Sequence, residues 1–134
     1  MPELPHALIA FAGYFGAAIA FAIAFVVIYT RLTPHREFEL IVVEHNASAA
    51  LALGLSLIGF VIPLARAMAQ AESIVEFCIW AAVALVVQIA AFLVARLAHP
   101  DLSRAIETNT LAAAIWLGAV SLAAGMLSAA AMTE

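Results

Sequence analysis

A chain of 134 residues that is 67% hydrophobic and 10% charged, with mean hydropathy +1.14, has more apolar surface than a soluble domain can bury, since those run near ~45–50% apolar and ~25% charged. Lipid is therefore its solvent, and continuous Ala- and Leu-rich runs without strand-type alternation make helices, not a barrel, the spanning structure. The net charge of −4, with five arginines and no lysine, leaves no basic patch for nucleic acid.

Charged residues divide the chain into four charge-free windows, 7–30, 45–65, 77–95 and 108–133. A spanning helix needs roughly 20 apolar residues, so the sequence predicts an all-α integral membrane protein with four transmembrane helices and a single membrane domain over 1–134. The first span covers 7–30. It lacks a basic leading region and its apolar stretch is too long for a signal peptide, so it reads as a retained helix. Gly13, Gly16, Ala17, Ala20 and Ala24 provide small-xxx-small spacings, which allow close helix approach in lipid, and Tyr29 near its end fits an interfacial anchor.

The second span covers 45–67. Thr33-Pro34 resembles an N-cap followed by proline at the first helical position, which would let this helix start near 34 and run through an amphipathic lead-in (Glu37 to Val42). Ala49, Ala52, Ser56, Gly59 and Pro63 share one helical face with His45, a small-residue stripe suited to tight packing. Pro63 is placed to kink the end of the helix. The third span covers 76–96, with Gln88 near its middle, on one face with Ala81, Ala84, Ala91 and Ala95. Cys78 has no internal partner for a disulfide and reads as a small buried residue. The fourth span covers 108–131; Ala114, Gly118, Ser121 and Gly125 lie on one face with Glu107.

Arg31, Arg36, Arg96 and Arg104 fall in the loops after the first and third spans, and only Arg66 lies on the other side. The positive-inside rule then puts the arginine-bearing loops in the cytoplasm and both termini outside, in the periplasm.

One pattern occurs twice. Glu44-His45-Asn46-Ala47-Ser48-Ala49-Ala50 is matched 63 positions later by Glu107-Thr108-Asn109-Thr110-Leu111-Ala112-Ala113, and both copies read Glu-x-Asn-x-x-Ala-Ala. The pairing predicts an internal duplication, with repeats of about 1–68 and 69–134. Each is a two-helix hairpin, and both share one orientation about an axis along the membrane normal. With this paired signature, Gln88 and the ending Gly125-Met126-Leu127-Ser128-Ala129-Ala130-Ala131-Met132-Thr133, nearly the whole chain resembles the domain-of-unknown-function 350 family of small YjfL-type bacterial inner-membrane proteins. The resemblance implies a four-helix inner-membrane protein with duplicated halves, and no activity, catalytic residue or ligand.

The polar residues admit a functional and a plainer reading. Glu44 and Glu107 are candidates for cation or proton ligands at the mouth of a pore, because ionisable groups in membranes often mark ion pathways. At the interface they cost far less, and a carboxylate at a helix N-terminus is stabilised by about 0.3–1 kcal/mol. Asn46 and Asn109 fit interhelical glue or helix caps. Residues two apart point to different sides of a helix, so the Glu and Asn of each copy face different neighbours. Gln88, in mid-membrane, must find partners in another helix or in water, and glue is the simpler role. His45 reads as an interfacial histidine. The four histidines have no metal-ligand spacing, the serines have no base beside them, and no cofactor motif occurs, so neither an enzyme nor a metal or cofactor site is expected.

Two functions fit. The first is an oligomeric structural or interaction subunit, as a homo-oligomer or as part of a membrane complex, packed through Gly13, Gly16, Ser56, Gly59, Gly118, Ser121 and Gly125. The second is an ion or small-solute channel or transporter with Glu44 and Glu107 at its cytoplasmic mouth and Asn46, Gln88 and Asn109 in its polar network.

Overall fold

A computed structural model describes residues 3–32, 37–98 and 102–132. Within them are six helices: α1 (Leu4–Leu32), α2 (Glu37–Val42), α3 (Ala47–Gln70), α4 (Ile74–Ala98), α5 (Leu102–Glu107) and α6 (Leu111–Ala131). The long helices α1, α3, α4 and α6 are each apolar and long enough to cross a membrane. At 1.5 Å per residue they extend about 31–44 Å, against about 30 Å of hydrocarbon. Thr33-Pro34 lies outside the described residues. The second span does not run on from the lead-in: α2 ends at Val42, and α3 starts separately at Ala47 after His45 takes a left-handed φ of 52°. A helix cannot pass through that conformation.

The core is built on α3 and α6. Asn109 meets Ser48 at their first turns, and Gly59 meets Ser121 and Gly125 farther along, so the two helices run parallel, side by side. Ala49, Ala52, Ser56, Gly59 and Pro63 are all buried, as are Ala114, Gly118, Ser121 and Gly125. Both small-residue stripes therefore pack, but His45 and Glu107 lie off them and are exposed. A Cβ on Gly59 would stand 2.5 Å from the Ser121 carbonyl oxygen, and one on Gly125 would strike the Gly59 carbonyl. Helix α4 packs on both members of this pair and buries Phe77, Ala81, Ala84, Gln88, Ala91, Phe92 and Ala95. Trp116 of α6 donates from Nε1 to the Ala95 carbonyl at 3.1 Å.

Helix α1 joins differently. It docks through an aromatic face on which Phe25 stacks on Phe60 at 5.1 Å and Tyr29 meets Phe92 edge-on at 5.6 Å, with Tyr14 and Phe21 against Phe77. Tyr29 is thus a core residue, 3% exposed, rather than an interfacial anchor. The glycines of α1 are turned away: among the described residues a Cβ on Gly13 or Gly16 would meet nothing within 4 Å, while Ala17 packs against the core. Within the chain, aromatic stacking holds α1, and its glycines are not a packing seam.

These contacts rank the glycines. Gly125→Ala should cost the most stability, about 1–3 kcal/mol or more, because backbone blocks the new methyl. Gly118→Ala should cost less, since the atoms nearest to its new methyl belong to the side chain of Leu55 rather than to backbone. Gly13→Ala and Gly16→Ala should leave unfolding in detergent unchanged. A Gly13→Ala penalty equal to that of Gly125→Ala would contradict this packing.

Candidate functional site

Two polar junctions hold the spanning helices together. The outer one lies where α2 leads to α3 and α5 leads to α6. Asn46 is the N-cap of α3: its Oδ1 accepts from Ala49 N at 2.9 Å, satisfying one of the amides that a helix start leaves open. Its Nδ2 donates to the carbonyls of Ile106 (3.0 Å) and Glu107 (3.1 Å), the open C-terminal end of α5. Asn109 Oδ1 in turn accepts from Ser48 N at 3.0 Å. The first turn of α3 is therefore capped from both halves of the chain. The N-cap of α6, Thr110, makes no side-chain cap bond.

The two copies of the motif do different work for a local reason. Asn109 has a left-handed φ of 61°; its N–H donates to Ile106 O at 2.9 Å and the next N–H, of Thr110, to Ala105 O at 2.8 Å. That is the Schellman closure of a helix C-terminus, with asparagine in the place usually held by glycine. In the first copy the left-handed residue is His45. Left-handed positions and N-caps are thus 64 residues apart, whereas the sequence motif repeats at 63. Asn46 and Asn109 share a letter and a place in the motif, but one starts a helix and the other ends one.

The inner junction lies in the middle of the bundle. Pro63 has no N–H, so the carbonyl of Gly59, four residues earlier, loses its helical donor. Gln88 of α4 replaces it: Nε2 donates to Gly59 O at 3.0 Å and also to Ser121 O at 3.3 Å. Ser121 Oγ donates to Ser56 Oγ at 3.3 Å across the α3–α6 seam. One amide thus bonds to the backbones of both core helices, and Gln88 is 2% exposed.

The structure brings Asn46 and Asn109 together at one junction and Gln88, Ser56, Gly59, Ser121 and Gly125 at the other. It leaves Glu44 and Glu107 exposed at the edge of the outer junction. Gly118 belongs to the α3–α6 seam, while Gly13 and Gly16 belong to neither junction. Pro63, read from the sequence as a packing residue and a kink, has a further role here: it opens the carbonyl that Gln88 answers. The signal for it was available: a proline four residues after a glycine on a buried face, with a single amide in the neighbouring span.

Four long apolar helices, three of them tied by the buried Gln88 amide, define a multi-span helical membrane protein. The chain belongs to the family described as Domain of Unknown Function (DUF350), which matches residues 3–132. The UPF0719 inner membrane protein YjfL of Escherichia coli strain K12 is 41% identical over 126 residues, which cover 94% of this chain and 95% of the relative. The protein of that name from Escherichia coli O157:H7 matches to the same extent. No solved structure matches. The chain is accordingly an inner-membrane protein with four candidate spans.

A double-mutant cycle tests the inner junction. Gln88→Leu leaves the Gly59 carbonyl buried without a donor and should cost about 1–3 kcal/mol. Pro63→Ala restores a backbone donor to that carbonyl, so it should recover part of the loss in the Gln88→Leu background and give less in the parent. Unfolding titrations of the four proteins should show coupling of at least about 0.5 kcal/mol; strict additivity would refute the shared carbonyl.

Proposed function

We propose that this protein is an oligomeric structural or interaction subunit of the inner membrane, built from two duplicated hairpins. The observation that carries this reading is how its polar and small residues are divided. Asn46, Asn109 and Gln88 each bond to backbone of another helix, which makes them glue within the subunit. Gly13 and Gly16 of α1 face open space among the described residues, and small residues of this kind let a second helix approach closely in lipid. A second copy of this chain, or a helix of a membrane partner, is the occupant we assign to it.

The proposal places the arginine-bearing loops in the cytoplasm and both termini outside, following the four arginines on one side against one on the other. Each half runs long helix, short helix, long helix, which supports the duplication. The proposal includes no catalytic step. A channel is the second reading, and the exposure of Glu44 and Glu107 is the observation in its favour. Any conducting path would then be sought at an interface between subunits, with these carboxylates at its mouth.

Native mass spectrometry from lipid nanodiscs should find an oligomer. Gly13→Leu and Gly16→Leu should shift it toward monomer without lowering the thermal stability of the monomer; a parent protein that is monomeric on its own and captures no membrane partner by cross-linking from α1 would refute the subunit reading. Flux into reconstituted vesicles tests the channel. Flux that falls on Glu44→Gln and Glu107→Gln supports it, and no flux in the parent rejects it.

A further inference from the structure

Gln88 commits both hydrogens of its amide to backbone carbonyls, of Gly59 and Ser121. This pairing determines which way the amide lies, because the flipped group would press its oxygen against two carbonyl oxygens. Its Oε1 has no donor among the described residues, although the side chain is 2% exposed. Such an atom is costly to leave unpaired in a dry interior. Gln88 lines a cavity of about 10 Å³ with Ser56, Ser121, Phe25, Tyr29 and Phe92. That is at the lower limit for one water molecule, about 10–15 Å³ for the region its centre can occupy.

We propose that this cavity is a binding site for a single ordered water molecule, which donates to Gln88 Oε1 and bonds to the hydroxyls of Ser56 and Ser121. The chemistry selects water over other occupants. An apolar group would leave Oε1 without a donor. A bare cation would have only neutral oxygens around it, since the lining residues include no carboxylate, and an ion in mid-membrane needs compensation they do not supply. Water meets each requirement: it is a donor and an acceptor, carries no charge, and fits. Ser121 Oγ already donates to Ser56 Oγ, which leaves the Ser56 proton and the remaining lone pairs of both hydroxyls for the water.

A structure of the protein in lipid, at a resolution that shows ordered solvent, should place a density peak about 2.7–3.0 Å from Gln88 Oε1. No peak in the cavity, or one with four or more closely spaced oxygen ligands, would overturn the proposal. Ser56→Thr offers an independent test, because it keeps the hydroxyl and adds a methyl at the cavity wall. With a water bound there, the methyl competes for its space and Tm should fall by a few degrees; a rise in Tm would mean a dry void and reject the site. Thermal unfolding in sodium, potassium, lithium and choline chlorides at equal ionic strength should give one Tm. A rise with one alkali cation would assign the site to an ion instead.

Discussion

A proline in a spanning helix opens one backbone carbonyl, and in hydrocarbon that carbonyl must be answered by protein. In α3 the opened carbonyl belongs to Gly59, and the rest of the bundle is arranged around it. The missing side chain of Gly125 lets α6 lie against it, and Gln88 of α4 reaches it with an amide hydrogen. The second hydrogen of that amide goes to Ser121 O, so three helices share one polar point. This is a specific contact between surfaces that have little else to distinguish them, since alanine faces pack against one another in many registers. Helix α1 packs on this core mainly through its aromatic rings, with Ala18 buried beside them.

The outer junction solves a different problem with the same chemistry. Two short helices end, and two long ones begin, at one level of the bundle, so open carbonyls and open amides lie near each other. Asn46 and Asn109 connect them across the halves. The repeated Glu-x-Asn pattern puts an asparagine at each place, and a one-residue offset from the helix starts separates their roles. With Asn109 one place out of step with the helix start, its side chain is free to cap α3 instead of α6. The carboxylates of the same motif take no part and remain toward the surroundings.

Much of the fold was legible in the sequence because lipid imposes simple rules. Charge-free windows of spanning length mark the long helices, and small-residue stripes mark the buried faces of α3 and α6. The role of Gln88 as interhelical glue also followed from its position, since an amide in mid-membrane has few alternatives. What could not be read was local backbone geometry. The left-handed residues at His45 and Asn109 break the chain before α3 and α6, and nothing in apolar periodicity announces them, so a start near 34 stayed open for the second span beside the one at 45. The stripe of α1 is built of small residues like those of α3 and α6, yet its glycines, Gly13 and Gly16, face away from the described residues of the chain. A pattern of small residues says that close approach is allowed; the chain's own aromatics determined which face of α1 turned inward.

The capping of α3 has a consequence for how the protein is made. Its Ser48 amide and the Asn46 side chain are satisfied by residues some sixty positions later, and its Gly59 carbonyl by one twenty-nine positions later. The N-terminal half therefore leaves the ribosome with a polar start and a polar midpoint that its own residues do not complete. Synthesis proceeds from the N-terminus, so α3 waits in the bilayer for α4 and then for α5 and α6. A truncation after α3 would therefore lack the groups that close the start and the midpoint of that helix.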